Sequence, residues 1–435
     1  MMEALLKISG KLLNQQQPIT FAPVIPVTMK QFNVPIIYRS PLITAVKNKR
    51  KAADKMKKDF TPTLLNFGNL HIYLARHFGF CYGVENAIDI AFKTIEENEG
   101  KRIFLLSEMI HNPQVNADLQ DRGVQFLQDT HGNQLLPFDT LTSDDVVIIP
   151  AFGTTLAIEE KLKEIGIQTA QYNTTCPFVE KVWNRSEQIA KKNYTVIVHG
   201  KPSHEETRAT FSHAAVNTPT VVVNNITEAI ALGRYISGEK KAVEFYTEFA
   251  HRYSEGFDAS RHFERIGVVN QTTMLASDTL AIADYLKQVM INTHQLTENN
   301  LEERFAETRD TLCYATNDNQ SAVYGLLETA ADFAIVVGGY NSSNTSHLVE
   351  LCEEKLPTYY IDSADKIISA TQIVHFNFHT KQELSTNDFL PNSSPIKILI
   401  TSGASCPDAI VENVIGKLLS LTGASKSIEE VLELL

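Results

Sequence analysis

The chain has 435 residues, 43% hydrophobic and 21% charged, with a formal net charge of -12 at pH 7. That length suits about two to four domains with real cores, and the composition is ordinary for a soluble globular protein. The acidic balance argues against a general nucleic-acid binder, and the absence of a run of about 18 apolar residues argues against a membrane span.

The first sixty residues stand apart from the rest. They hold eleven basic residues against three acidic ones (Glu3, Asp54, Asp59), a net +8, which leaves -20 on the remainder of the -12 chain. Arg and Ser are sparse before Arg39, which weakens an organelle transit peptide as the reading. The preferred expectation is a basic N-terminal extension, residues 1–69, lying over an acidic body by charge complementarity.

From Leu70 onward the texture is strand, turn, helix, repeated. Short β-branched apolar runs predict strands at Leu70–Arg76, Ile103–Leu106, Val146–Pro150, Thr195–Val198, Thr220–Val223, Ile266–Val269, Phe333–Val337, Thr358–Ile361 and Ile396–Ile400. Most lack alternation, as strands covered on both faces do. Helical periodicity lies between them at Leu156–Ile165, Val179–Lys191, Met274–Met290 and Ser346–Glu354. This alternation predicts an α/β protein with mainly parallel sheets. Asn292–Arg304 reads as a linker or peripheral helix, and Ser425–Leu435 as a short C-terminal helix.

Five cysteines (Cys81, Cys176, Cys313, Cys352, Cys406) are too few and too scattered for a disulfide scaffold. Their odd number, with no secretory signal, points to a reducing compartment where cysteines are free, catalytic or metal-bound. Three sit alike. Phe80-Cys81-Tyr82-Gly83, Thr175-Cys176-Pro177-Phe178 and Leu312-Cys313-Tyr314-Ala315 each place the cysteine just before an apolar-periodic segment. A thiol there lies near backbone N–H groups and the positive end of a helix dipole, which favour thiolate. For any one of them a small buried hydrophobe is the bland alternative. Separations of 95 and 137 residues are domain-sized, so three comparable units would each donate one cysteine to a common centre.

Three thiolates suit zinc or an iron–sulfur cluster. No CxxC pair is present for structural zinc, and a four-iron cluster on three cysteines keeps one iron open for a ligand. Cys352 and Cys406 are the possible fourth ligands; the first falls in a helical pattern that favours core packing, the second in a polar turn.

Four further strand ends carry polar turns that open helices: Glu108-Met109-Ile110-His111-Asn112, His199-Gly200-Lys201 running to His204-Glu205-Glu206, Gly338 to Asn344, and Thr401 to Ser405. Backbone N–H groups at such turns, with hydroxyl and amide side chains, cradle phosphate. No P-loop or GxGxxG occurs, so a nucleotide cofactor is not indicated. Any one Ser-Ser-Asn is more often a helix cap and any one histidine more often structural. Their coincidence favours an anionic ligand. His111, His199 and His204 are the candidate imidazoles, and Glu206 is a candidate proton donor if desolvation raises its pKa. Gln271-Thr272-Thr273 adds hydrogen-bonding groups at another strand end.

With these motifs the chain resembles the 4-hydroxy-3-methylbut-2-enyl diphosphate reductase (IspH or LytB) family. The matches are Gly-Phe-Cys at 79–81, Ile-His-Asn at 110–112, Thr-Cys-Pro at 175–177, His-x-Glu at 204–206, Asn-Gln-Thr-Thr at 270–273, Cys-Tyr-Ala-Thr at 313–316, Asn-Ser-Ser-Asn at 341–344 and Ser-Gly-Ala-Ser at 402–405. They follow the family's order from about Leu70 to Leu419.

The resemblance implies three similar α/β domains arranged pseudo-threefold around a central [4Fe–4S] cluster. Their expected boundaries are 70–180, 181–305 and 306–424, with a tail at 425–435. It implies Cys81, Cys176 and Cys313 as ligands of one cluster per chain, with the open iron taking the substrate hydroxyl. It further implies His111, His204, Ser342, Ser343, Asn344 and Ser405 around the diphosphate, Glu206 delivering protons, and Thr272 ordering the hydroxyl end. Reductive loss of water would then give isopentenyl and dimethylallyl diphosphate, the last step of the non-mevalonate isoprenoid pathway. Two electrons would come singly from a ferredoxin or flavodoxin.

One turn departs from the family. Many bacterial members carry Ala-His-Gly where this chain has Ala151-Phe152-Gly153. Phe152 cannot donate a hydrogen bond, so an anion contact must be missing or supplied elsewhere, with His199 and Lys201 as candidates. The Phe-containing turn, Trp183-Asn184 and the long extension look like the cyanobacterial and plastid branch, for which a bacterial cytoplasm or a plastid stroma is the expected compartment. Two other readings are weighed: a quinolinate synthase-like cluster dehydratase, against which the Ser-Ser-Asn turn and the His-x-Glu motif argue, and a non-catalytic, cluster-bearing sensor of a phosphorylated ligand.

Overall fold

The structure, a computed structural model, describes residues 32–306 and 311–434. The chain divides into a unit Met1–Asn33 and a unit Val34–Leu435. Lys7, Lys11 and Lys30, and with them the first half of the expected extension, lie outside the described residues, so the description below is of the second unit.

The protein is α/β, and its described residues form three mainly parallel sheets and one small hairpin. One has the order 125–126, 103–105, 146–148, and another the order 220–223, 195–199, 266–270, 305–306, both wholly parallel. The third runs 63–66, 70–74, 396–402, 333–337, 358–361, parallel except for its antiparallel edge pair 63–66 with 70–74. Strands such as Thr195–His199, Ile266–Asn270 and Phe333–Val337 are buried at every position, which is why their sequences run apolar without alternation.

All nine expected strands form, most within two residues of the expected ends. The expected helices form at Leu156–Ile165, Pro177–Ala190, Ala276–His294 and Ser343–Glu353, and the tail forms the helix Ile428–Leu434. Two-residue strands at Gln125–Phe126 and Phe305–Ala306 are too short to show a period. The antiparallel hairpin Gln372–Asn377 with Gln382–Asn387 went unseen because its second strand is almost wholly exposed and polar.

Two expectations meet a different arrangement. Leu70–Leu74, expected to begin the first unit, is hydrogen-bonded along its length to Ile396–Ser402, more than three hundred residues away. Strand partners are chosen by which apolar faces meet, and chain order is a weak guide to that. Residues 34–69 are likewise more than a charged cover. The helix Pro41–Ala53 starts at Ser40, whose hydroxyl accepts from the Ile43 N–H at 2.8 Å. It buries Leu42, Ile43 and Val46 in the core of the five-stranded sheet. Apolar burial therefore docks this segment, with the ion pairs Lys47 Nζ to Asp408 at 2.7 Å and Arg76 to Asp54 at 3.8 Å at its margin.

The carboxyl ends of parallel strands from all three sheets carry the turns singled out above, and each turn opens the next helix. Ligand sites in α/β folds form at such ends, where helix N-termini converge.

Candidate active site

The three cysteines occupy equivalent places. Cys81, Cys176 and Cys313 are each the N-cap residue of a helix, at Tyr82–Glu97, Pro177–Ala190 and Tyr314–Leu327. All three line one cavity of about 640 Å³, opening included. Burial pushes each thiol up, Cys176 to about 12; neighbouring thiols add to it at Cys81 and Cys176, and Glu206 at Cys176 and Cys313, while the N–H groups of the following turn pull down. Three desolvated thiols facing one space stay neutral by themselves, and a bound metal group would supply the positive charge that lets them ionise.

Backbone spacing agrees with this. A Cβ on Gly83 would lie 2.5 Å from the Cys176 sulfur, so glycine is what lets the first helix approach the second cysteine. Gly79 serves elsewhere. Its φ is +80°, and a Cβ there would meet Asp408 and Lys47, not the cage. Among the described residues no three His, Cys, Asp or Glu side chains converge as ligands of one ion.

Across the cavity lie the polar turns. Ser342 caps the helix Ser343–Glu353, its hydroxyl accepting from the Thr345 N–H at 3.2 Å. Asn344 Oδ1 accepts from the Ala404 N–H at 2.9 Å, whereas its buried Nδ2 has no partner. A buried amide donor without an acceptor is costly, and an anionic oxygen in the cavity would satisfy it. Ser343 and Ser405 are buried in the same wall, and Ser405 Oγ donates to the His111 carbonyl at 3.1 Å.

The histidines are held in fixed orientations. His111 Nε2 lies 2.9 Å from Glu205 Oε2, both side chains being buried, and Ser107 donates to the other oxygen of Glu205. His204 Nδ1 accepts from the Glu206 N–H at 3.2 Å, which leaves Nε2 to carry the ring hydrogen. Burial, then the charges of His111, Lys201 and Arg208, hold the His204 imidazolium well below its usual range. His204 is thus a neutral donor. Phe152 stacks on His111 with centroids 4.2 Å apart and meets His204 edge-on at 5.6 Å.

Glu206 is 1% exposed, and burial pushes its carboxyl up to about 7 against the opposing bonds from Thr272. Thr272 donates both its N–H and its hydroxyl to the carboxylate, the latter at 2.9 Å. The Thr272 carbonyl in turn accepts from Cys313 N–H at 3.2 Å and from Thr316 Oγ1 at 2.8 Å. An acid poised near neutrality is thereby tied to the turn of the third cysteine.

The cavity gathers Cys81, Cys176, Cys313, His111, His204, Glu206, Thr272, Ser342, Ser343, Asn344 and Ser405. His199 is not among them. Its Nδ1 is 3.2 Å from Thr279 Oγ1, and burial pushes its imidazolium down to about 4, so it is a neutral core residue and not an anion contact. The last residue of a fully buried strand faces its own sheet packing rather than the turn beyond. Lys201 lines a separate outer cavity that shares His111, His204 and Ser343 with this one. Cys352 and Cys406 are both fully buried in the main core, so the polar turn around Cys406 does not turn its thiol toward the cysteines.

A family model described as LytB protein matches residues 72–419. The chain belongs to the LytB family. Among its curated relatives, a 4-hydroxy-3-methylbut-2-enyl diphosphate reductase from Picosynechococcus sp. is 40% identical over 357 residues, covering 82% of this chain and 86% of the relative. One of the same name from Prochlorococcus marinus subsp. pastoris is 38% identical over 387 residues, covering 88% and 91%. The solved E-1-hydroxy-2-methyl-but-2-enyl-4-diphosphate reductase of Plasmodium falciparum is 22% identical, with a TM-score of 0.57, over 80% of this chain and 87% of that one. That likeness bears on the fold alone. This LytB-family chain is an enzyme of the reductase class its relatives represent. Among its described residues no helix is long and apolar enough to cross a membrane.

Sequence reasoning left out several residues of this LytB site. Glu205 stands beside Glu206 in one helical turn, and nothing local tells which of two adjacent acids faces the cavity and which braces His111. Ser107 acts through a contact with a residue 98 positions away, which no local pattern reports, whereas Thr316 bonds both the Thr272 carbonyl, 44 positions away, and the nearby Cys313 sulfur, the spacing of the Cys-Tyr-Ala-Thr motif.

Proposed function

We propose that the enzyme reductively dehydroxylates (E)-4-hydroxy-3-methylbut-2-enyl diphosphate to isopentenyl and dimethylallyl diphosphate, the closing step of the non-mevalonate pathway. The carrying observation is that three helix-capping cysteines, a buried acid near neutrality and a set of neutral anion donors share one cavity. The balance is R–OH plus two electrons and two protons to R–H plus water.

Cys81, Cys176 and Cys313 would hold one [4Fe–4S] cluster, whose chemistry when bound is to accept electrons singly and polarise the leaving hydroxyl. The chain's own residues do the rest. Ser342, Ser343, Asn344, Ser405, His111 and His204 receive the diphosphate, and the unpartnered Asn344 Nδ2 is the donor with most to gain. Anchoring that end sets the hydroxyl toward the cysteines, near Thr272 and Glu206. Glu206, protonated in part near pH 7, gives its proton as the C–O bond breaks, and Thr272 keeps the carboxyl aimed. Phe152 walls the histidines with an apolar face and excludes water from them. The cyanobacterial relatives support a bacterial cytoplasm or a plastid stroma as the compartment.

An anaerobic assay of reconstituted protein with dithionite tests the reading. Both alkenyl diphosphates should appear as substrate is consumed. A brown, iron-loaded protein that binds substrate and forms neither product overturns it in favour of a sensor. Turnover of iminoaspartate with dihydroxyacetone phosphate would favour the dehydratase.

A further inference from the structure

Cys81 is a wall between two cavities. One is the site above. The other is an opening lined by Lys47, Lys51, Lys57, Arg76, Phe78 and Tyr314, among others. Its cations come mainly from the helix Pro41–Ala53 and the loop after it. From Lys47 to Lys58 there are seven basic residues and one acidic, Asp54, in a chain of net charge -12.

This surface is ordered. Lys47 Nζ lies 2.7 Å from Asp408 and 4.7 Å from the Phe78 ring centroid. Arg50 reaches Asp59 at 3.0 Å, Arg76 reaches Asp54 at 3.8 Å, and the Asp59 N–H donates to Asp54 Oδ2 at 2.9 Å, closing the loop. Lys51 and Lys57 remain exposed. Among the described residues Asp318 is the one carboxylate lining the opening. His77, inside it, has its imidazolium pushed down to about 4, by burial first and then by Arg76, Lys57 and Lys47. The opening reaches the proposed cage at two points. Cys81 lines it directly, and Tyr314, next to Cys313, accepts from the Tyr82 N–H at 2.9 Å.

A two-electron reduction needs electrons from outside, and the sequence has no nucleotide-binding motif to hold a soluble hydride donor. We propose that the basic surface Lys47–Lys58 with Arg76 docks an acidic one-electron carrier protein, presenting the carrier's redox centre to Cys81 and Tyr314. The inference rests on the proposed function. Each reduced carrier gives one electron and leaves oxidised, so two dockings supply the two electrons that, with two protons, turn C–OH into C–H and water. Elsewhere the chain is acidic, the part beyond residue 60 carrying -20 against +8 in the first sixty residues, so a negative carrier is repelled from most of the molecule and drawn to this face.

The test uses the full chain with both Lys51→Glu and Lys57→Glu, and reduced acidic [2Fe–2S] ferredoxin or dithionite as the reductant. Expected are a rise in ferredoxin KM of about tenfold or more at low salt, a flatter salt dependence, and dithionite turnover within about twofold of the parent. Calorimetry of oxidised ferredoxin with cluster-free protein should show a matching rise in Kd. Unchanged KM and Kd overturn the docking surface, as does an equal loss in the remote reversal Lys192→Glu. If the parent chain fails with dithionite, the proposed function falls, and the calorimetry still decides the docking surface.

Discussion

The inner cavity at Cys81, Cys176 and Cys313 and the outer opening behind Cys81 handle charge in opposite ways. Inside, His204 is held neutral, His111 is braced by Glu205, Glu206 is pushed toward neutrality, and Asn344 offers an unpartnered amide. Outside, exposed Lys51 and Lys57 keep a surplus of positive charge, and ion pairs such as Lys47–Asp408 set its shape. Isolated charge is costly away from water, so a buried anion site is built from neutral dipoles and paired ions. A wetted surface tolerates the surplus, which attracts at long range and weakens with salt.

Breaking the inner half most completely, Cys176→Ser should abolish or destabilise the cluster. Iron and sulfide analysis after anaerobic reconstitution checks this, and unchanged iron would remove Cys176 from the ligand set. Glu206→Gln comes next. It should keep iron content and substrate binding while turnover falls about 10²–10⁴-fold, the usual worth of a positioned acid. A near-parental rate would end the proton-donor role.

The same acid sets a pH limb. With its pKa raised to about 7, the proton-giving form is full well below that pH and is lost as pH rises through it. Turnover should therefore decline above about pH 7, and the Gln variant should lack that decline. The raised value also means that ionised Glu206 destabilises the fold, a cost absent below the ordinary carboxylate range and complete above about pH 7.

Asn344→Asp sharpens the contrast at smaller scale. It keeps the oxygen that accepts from Ala404 N–H and replaces the unpartnered donor with negative charge. The diphosphate KM should rise about 10–100-fold with iron content unchanged. The smallest effect belongs to the outer half. Ser40→Ala removes the cap of the lysine-bearing helix and should cost about 1 kcal/mol in urea unfolding, while dithionite turnover stays unchanged.

Local chemistry was well represented in the chain. Thr195–Val198 and Phe333–Val337 read as strands because buried β-branched runs have few other uses. Cys81, Cys176 and Cys313 read as equivalent because each precedes a helical period, and all three cap helices. His204 and Glu206 were legible for the same reason: a cap and its first turn are set by neighbours three or four residues away.

His199 stood at an equally polar strand end, yet it faces Thr279, because the side a strand's last residue faces is settled by what packs there. Gly79 stands two residues before Cys81, yet it clears space for Lys47 and Asp408, the latter 329 residues along the chain. The helix Pro41–Ala53 looked like a charged cover and is an apolar wedge in the core, with its lysines left beside Cys81.

The sequence by itself determined the periods, the caps and the side-chain chemistry at each strand end, since these depend on a few adjacent residues. Only the tertiary structure decided that Leu70–Leu74 joins Ile396–Ser402, that Glu205 braces His111 while Glu206 binds Thr272, and that a basic helix lies behind one cysteine. Those choices depend on which buried faces meet across the whole chain, and each is fixed by packing and desolvation at contacts that no local stretch contains.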